Sequence, residues 1–327
     1  MHPQHSSNLI DLITPNQIGP QRMQPDRVRH FLMQGLLAVF LGVACAVPVM
    51  AAPIQLPAIV EPASQEHHVG KLIFVELVTP DLAAAKQFYA GLFGWTFRDI
   101  QAGRIEYAEA FLDGRPVAGL IHRKVPAGEH RQPRWLSFFA VGDVDAAKKI
   151  ALQNGAKVLF EPHSIPDRGR EAVFADPQGA VFAVLASSSG DPSDVLVAPG
   201  EWIWSSLITG DPDTDAAFYQ KLFDYEVFEL PASEGAQHLL LSSDNYARAS
   251  VNTLPANRPN AHPHWLNYVR VEDMVKMTAK VVALGGRVVV APRIDRQGGK
   301  VAVVADLLGA CFGLLEWPDT ENKEVPK

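Results

Sequence analysis

The feature that most constrains the fold of this chain is an internal duplication. The stretch TPDLAAAKQFYAGLFGWTF at residues 79–97 returns as TGDPDTDAAFYQKLFDYEV at residues 209–227. At the same offset of 130 residues, Trp135 matches Trp265 and Asp176 matches Asp306. A gap-free register held over about 110 residues predicts a duplicated domain rather than a short-period solenoid.

Each half of the duplication contains a unit that is itself repeated. In the first half, KLIFVELVT predicts a strand, and the apolar residues of DLAAAKQFYAGLF fall at helical spacing and end at Gly94. Three further strands follow, after which a strand, the helix DVDAAKKIALQNG and three more strands repeat the order. The sequence therefore predicts an α+β protein with two βαβββ units per half and four in total.

The paired units resemble a known superfamily. The segments LVTPDLAAAKQFYAGLFGW, VGDVDAA and FADPQGAVFAVL are similar to those of the vicinal oxygen chelate superfamily, which includes glyoxalase I, extradiol dioxygenases and the bleomycin and fosfomycin resistance proteins. The resemblance covers residues 70–187 and 200–317, and it implies tandem glyoxalase-like domains. It also implies that two units in each domain form an open curved sheet that cups a small ligand.

This organisation sets the expected domain boundaries along the chain. We expect an N-terminal extension and signal peptide at 1–52, a linker at 53–69, a first domain at 70–187, an interdomain linker at 188–200, a second domain at 201–318 and a charged tail at 319–327.

Residues 27–52 have the pattern of an export signal. Arg27 and Arg29 precede an apolar core, and small residues suited to cleavage lie near Ala51 and Ala52. The pattern predicts an exported, periplasmic protein. Two alternatives stay open: an uncleaved membrane anchor, and a lipoprotein attached through Cys45.

Net charge restricts the partners. The formal charge is −7 and no long basic run occurs, which argues against a nucleic-acid surface. We expect a small-molecule ligand, membrane contact only through the signal or an uncleaved anchor, and a monomer or homodimer.

The positions that the resemblance assigns to metal ligands carry no suitable donor. They are Phe74, Leu136 and Ala183 in the first half and Trp204, Leu266 and Gly313 in the second. A divalent metal needs oxygen, nitrogen or sulfur ligands. We therefore expect no cofactor and no metal site. The alternative is a divalent metal held by an unusual set drawn from Glu76, His122, His262 and His264.

The remaining candidates point to a ligand-binding cup. Glu76 lies two residues after Phe74 and so shares its strand face; a buried carboxylate there is a candidate catalytic base. The predicted ligand-binding residues are Phe74, Glu76, Tyr107, Trp135, Phe138, Trp204, Ser206, Trp265, Asn267 and Tyr268. Their aromatic rings are suited to stacking on a planar ligand.

Three functions fit these observations. The first is an exported glyoxalase-like protein that lacks the metal and binds a small apolar or aromatic molecule. The second is an enzyme of the same superfamily, either a metal-dependent lyase or a dioxygenase. The third is an interaction module of the cell envelope.

Overall fold

The computed structural model describes residues 55–102, 105–124, 133–232, 235–255, 262–294 and 299–317. The predicted export signal and the charged tail lie outside these residues. Among the described residues, no helix has the length and apolarity needed to cross a membrane.

The first domain contains the two predicted βαβββ units in one eight-stranded sheet. Its elements are β1 (Leu72–Thr79), α1 (Leu82–Phe93), β2 (Thr96–Ala102), β3 (Ile105–Leu112), β4 (Arg115–His122), β5 (Arg134–Ala140), α2 (Val144–Gln153), β6 (Lys157–Ile165), β7 (Gly169–Ala175) and β8 (Val181–Ser187). The strand order is β2-β3-β4-β1-β5-β8-β7-β6. The two units therefore meet along the antiparallel pair of their first strands, β1 and β5.

The second domain repeats this topology. Its elements are β9 (Trp202–Thr209), α3 (Pro212–Phe223), β10 (Glu226–Glu229), β11 (His238–Ser243), β12 (Tyr246–Thr253), β13 (His264–Val271), α4 (Met274–Ala283), β14 (Arg287–Ile294), β15 (Lys300–Ala305) and β16 (Cys311–Glu316). The strand order is β10-β11-β12-β9-β13-β16-β15-β14. The predicted α+β fold of tandem domains is confirmed.

Local sequence explains where the first helix of each domain begins and ends. The Asp81 carboxylate accepts a hydrogen bond from the Ala84 amide, and Asp211 does the same for the Thr214 amide. Such N-caps satisfy amide groups that lack partners within the helix. Helix α1 ends at Gly94 with φ 77°, a left-handed conformation that glycine adopts without strain.

The helices lie between the two sheets, and the units pair across the domains. The first unit packs its helix against the fourth unit, and the second unit packs against the third. The hydroxyl of Tyr89 donates to Asp306 Oδ2 at 3.0 Å, and that of Tyr219 donates to Asp176 Oδ2 at 2.9 Å. The duplicated FY and DPQG-type motifs are therefore hydrogen-bonded partners in the domain interface.

The opposite face of each sheet points away from the helices. Side chains alternate between the two faces of a strand, so Val75 and Leu77 join the interdomain core while Phe74 and Glu76 face the other way. We call these outward faces the first cup, centred on Phe74, and the second cup, centred on Trp204.

Candidate functional site

Strand pairing places equivalent residues in one row of each cup. In the first cup, Phe74 pairs with Phe138, which pairs with Ala183. In the second cup, Trp204 pairs with Tyr268, which pairs with Gly313. The structure thus brings together Phe74 with Phe138, and Trp204 with Tyr268, as the sequence predicts.

The first cup is filled by the chain itself. Residues 55–60, which we call the strap, cross this face. Leu56 packs with Tyr107 and Ile165, and Ile59 packs with Phe74 and Phe138. Only 6% of Leu56 and 4% of Ile59 is exposed. The segment expected to be a linker therefore contributes apolar side chains to the core of the first domain.

Hydrogen bonds fix the strap and the residues after it to Ser189 and Asp191, at the start of the expected interdomain linker. The Val60 amide donates to Ser189 Oγ at 3.2 Å, and the Ser64 amide donates to the Ser189 carbonyl at 2.8 Å. The His68 amide donates to Asp191 Oδ2 at 2.6 Å. These contacts hold the strap over the cup.

Charged side chains lie beside the apolar row of the first cup. The Arg168 guanidinium is 1% exposed and stands 4.3 Å from the centre of the Phe74 ring. It donates to Glu109 Oε1 at 3.1 Å, and Arg98 donates to Glu109 Oε2 at 3.2 Å. The Tyr107 hydroxyl donates a hydrogen bond to Glu76 Oε1 at 3.0 Å. A buried arginine thus supplies the positive charge among these carboxylates.

Burial changes the protonation of this cluster. Loss of solvent raises the pKa of Glu76 to about 7, and the negative charge of Glu171 adds to the rise, while Arg168 opposes it. Burial also raises the pKa of Glu109. The hydrogen bond with Glu171 raises the pKa of His163. Glu76 therefore exchanges its proton near neutral pH, the property required of a general base, but the strap covers this face.

The second cup presents aromatic rings that remain partly exposed. Trp204 and Tyr268 are half-buried, whereas their counterparts Phe74 and Phe138 are 5% and 2% exposed. The Tyr268 ring lies over Gly313: a Cβ atom at that position would stand 2.0 Å from Tyr268 Cδ1. Glycine at 313 therefore makes the space that the tyrosine ring occupies.

Polar side chains lie beside these rings. Ser250 Oγ receives hydrogen bonds from Trp204 Nε1 at 3.2 Å and from Asn252 Nδ2 at 3.1 Å. Ser206 Oγ lies 2.8 Å from Ser250 Oγ. Ser206 is 4% and Ser250 2% exposed. The second cup therefore combines two rings with a neutral, hydrogen-bonded floor.

Three predicted site residues lie on the other side of the sheets. Trp135 and Trp265 donate through Nε1 to Tyr89 and Tyr219 in the interdomain core. Asn267 Oδ1 accepts from Ser137 Oγ and Ser205 Oγ, again between the domains. The prediction grouped Trp135 with Phe138 and Trp265 with Tyr268, but residues three apart on a strand point to opposite faces.

The histidines proposed as alternative metal ligands do not form a common site. His122 Nδ1 lies 2.8 Å from Glu106 Oε2 in the first domain. His264 Nδ1 lies 2.8 Å from the carbonyl of His262 in the second domain, and both residues are exposed. Within the described ranges, no group of three or more His, Cys, Asp or Glu residues is arranged to hold a metal ion.

The sequence analysis missed Ser250, Asn252 and Arg168. Strand pairing shows why Ser250 was overlooked. Gly119 pairs with Glu76 in the first domain, and Ser250 pairs with Ser206 in the second. Equivalent residues of the two domains are therefore 131 positions apart in this hairpin instead of 130. The expected gap-free register is therefore wrong here. The sequence did contain a pattern that could have indicated this site. Arg248, Ser250 and Asn252 stand at every second position, which places three polar residues on one strand face.

Comparisons with known proteins agree with this architecture. The family model of the Glyoxalase/Bleomycin resistance protein/Dioxygenase superfamily matches residues 67–184. CFP32 of Mycobacterium tuberculosis, whose provisional name is glyoxylase, is 30% identical over 257 residues, which are 78% of this chain and 98% of that protein. The chain belongs to this superfamily. The anthracycline biosynthesis protein DauV of a Streptomyces species is 31% identical over 76% of this chain and 93% of its own length.

Solved structures share the fold at lower identity. The Mn(II)-bound glyoxalase of Novosphingobium aromaticivorans matches with a TM-score of 0.56 and 19% identity, over 76% of this chain and 82% of that one. The 2,2',3-trihydroxybiphenyl 1,2-dioxygenase of Sphingomonas wittichii matches with a TM-score of 0.54 and 15% identity, over 76% and 91% of the two chains.

A family-type divalent metal does not fit the side chains present in the two cups. The row positions Phe74 and Ala183, and Trp204 and Gly313, offer no donor atom to a metal. In the second cup, the ring of Tyr268 lies over Gly313, so a longer side chain there would displace the ring.

Proposed function

We propose that this protein binds a small planar aromatic molecule in its second cup, without a metal. The observation that carries the proposal is the pair of half-buried rings, Trp204 and Tyr268, beside the buried polar floor of Ser206 and Ser250. Ligand sites in proteins are mostly apolar and aromatic, with a few polar groups that fix orientation.

The rings are suited to an aromatic ligand because their faces and edges provide contact area at little cost in conformational entropy. The hydrogen bond from Nε1 to Ser250 Oγ orients the Trp204 ring. Gly313 has no side chain, so the Tyr268 ring can lie directly over it. Both rings are thus positioned before a ligand arrives, which reduces the entropy lost on binding.

The relatives give the ligand class independent support. Two of them, DauV and DnrV, are named for the biosynthesis of anthracyclines, which are polycyclic compounds with aromatic rings. We extend only this chemical class to the present chain. Metal independence is part of the proposal because the row positions lack donors.

Isothermal titration with acetylnaphthalene tests the proposal. Trp204→Ala should weaken binding by at least about tenfold, because a buried aromatic contact commonly contributes that much to affinity. Phe160→Ala is the control: Phe160 is an aromatic residue of the first domain that is 63% exposed, and its loss should leave affinity unchanged. Equal affinity of wild type and Trp204→Ala would remove the second cup as the site.

We also propose that the protein is exported, on the strength of residues 27–52. Expression of the full chain followed by periplasmic extraction and intact-mass measurement checks this. A mature chain that begins near residue 52 is expected, and a full-length cytoplasmic product would contradict it.

A further inference from the structure

We infer that the ligand of the second cup carries a neutral carbonyl oxygen and that Ser206 donates the hydrogen bond that recognises it. The inference rests on the proposed function, since it assumes that an aromatic molecule occupies this cup. It adds the functional group by which one aromatic molecule would be selected over another.

The direction of one hydrogen bond follows from counting donors and lone pairs on Ser250. A serine hydroxyl has one hydrogen to donate and two lone pairs that accept. Trp204 Nε1 and Asn252 Nδ2 are both N–H donors, at 3.2 and 3.1 Å from Ser250 Oγ. They use both lone pairs, so the Ser250 hydroxyl must donate its own hydrogen to Ser206 Oγ at 2.8 Å.

This assignment leaves the hydrogen of Ser206 available. Its oxygen already accepts from Ser250, and within the described part of the chain Ser250 is its one hydrogen-bond partner. Ser206 is 4% exposed, and buried hydroxyl groups are normally hydrogen-bonded. A hydrogen-bond acceptor on a bound ligand completes this series of hydrogen bonds, which runs from Trp204 and Asn252 through Ser250 to Ser206.

The surrounding row selects a neutral acceptor over a charged one. Strand pairing places Leu240, Ser250, Ser206 and Leu266 side by side across the floor. Recognition of a carboxylate or phosphate normally uses arginine, lysine or a helix N-terminus, and this row carries none of them. Arg248, two residues before Ser250 on the same strand face, donates to Asp194 Oδ1 at 2.6 Å and to Ser243 Oγ at 3.0 Å. An aryl ketone or quinone oxygen matches one hydroxyl donor between two leucines.

The equivalent positions of the first cup are built differently. Glu76 stands where Ser206 stands, and Gly119 stands where Ser250 stands. Tyr107 passes over Gly119 to reach Glu76. The hydroxyl chain is therefore a feature of the second domain alone among the described strands.

A matched pair of ligands tests the inference directly. Acetylnaphthalene and isopropenylnaphthalene have the same outline and differ by replacement of the carbonyl oxygen with a methylene group. Titration calorimetry on the wild-type protein should show about tenfold tighter binding of the ketone, the order of effect expected for one buried hydrogen bond. Ser206→Ala should bring the ratio of the two affinities close to one.

Ser205→Ala is the matched control, because Ser205 is the neighbouring buried serine on the same strand and points to the domain interface. It should keep the tenfold preference. Equal binding of both compounds by the wild type overturns the inference and leaves the proposed function in place. Binding of neither compound removes the proposed function, and the inference with it. If Ser206→Ala still binds the ketone more tightly, another group donates the hydrogen bond to the carbonyl oxygen, and the inference is also overturned.

Discussion

The two cups have the same strand topology but opposite contents. In the first, the strap covers the row of Phe74 and Phe138, and a buried arginine lies among carboxylates. In the second, the row of Trp204 and Tyr268 stays half-buried above hydroxyl groups. One cup is part of the core of its domain, and the other keeps two half-buried aromatic rings.

The domain interface shows the reverse behaviour, since it is nearly the same on both sides. Tyr89 and Asp306 mirror Tyr219 and Asp176, and each tyrosine also accepts from a tryptophan. Each half of the chain packs against the other through this surface, so a change on one side must fit the partner. The cups face away from it, which leaves them free to differ.

The largest expected effect concerns the charged cluster of Arg168 and Glu109 in the first cup. Arg168→Met leaves the Glu109 carboxylate, which is fully buried, without its buried cation. We expect a loss of about 3–5 kcal/mol in the free energy of unfolding. Urea denaturation at neutral pH measures it.

Arg98→Met is the control for this cluster. Arg98 contacts the same carboxylate, but its side chain is 56% exposed, so its loss should cost about 1 kcal/mol or less. Equal effects of the two substitutions would show that the buried arginine has no special role in the first cup.

The strap provides the next test, because its removal should make the first cup resemble the second. Ile59→Ala deletes a buried side chain that packs on Phe74 and Phe138. We expect destabilisation of about 2–4 kcal/mol. Ile59→Asp should detach the strap and increase the fluorescence of a hydrophobic dye such as ANS. Leu196→Ala, at a residue 46% exposed in the interdomain linker, should change neither measurement.

Glu76 makes the first cup sensitive to pH, whereas Ser206 at the equivalent position does not titrate. The folded state holds the pKa of Glu76 at about 7, above its ordinary value of 4.5. The folded protein therefore keeps this proton longer than the unfolded chain. The contribution of this protonated carboxyl to the free energy of unfolding is complete below about pH 4.5. It is lost as the pH rises to about 7, and the loss is up to about 3 kcal/mol.

Comparison of Glu76→Gln with the wild type isolates this contribution. The burial of Asp215 also raises its pKa to about 7, but Asp215 is present in both proteins and cancels in the difference. The stability difference should favour the variant increasingly as the pH rises from about 4.5 to about 7. A difference that does not depend on pH would contradict the raised pKa.

The smallest expected effect is on ligand affinity in the second cup. Gly313→Ala places a Cβ atom where the Tyr268 ring lies, so the ring must move. We expect binding of acetylnaphthalene to weaken by about tenfold. Gly210→Ala, at a glycine with open space around it, is the matched control and should bind as the wild type does.

The sequence predicted the fold because the duplication and the strand and helix periods agree over both halves. It placed Phe74, Glu76 and Phe138 on one face correctly, since alternation along a strand is a local property. It failed for Trp135 and Trp265, whose strong aromatic signal belongs to the domain interface. Which face of a sheet receives the helices is a tertiary property, and the motif alone did not reveal it.

The strap and the polar floor could not be predicted for related reasons. Leu56 and Ile59 lie in a proline-containing stretch without a regular period, so nothing local indicates that they are buried. Ser206 and Ser250 are 44 residues apart and meet only because β12 pairs with β9. A one-residue difference between the halves then hid Ser250 from the repeat alignment.

The stoichiometry of ligand binding tests the difference between the cups most directly. Titration calorimetry with acetylnaphthalene, in the presence of EDTA, should give one site per wild-type chain, and Trp204→Ala should lose it. Two equal sites per chain, a site that survives Trp204→Ala, or binding that EDTA abolishes would contradict the account of one open, metal-independent cup.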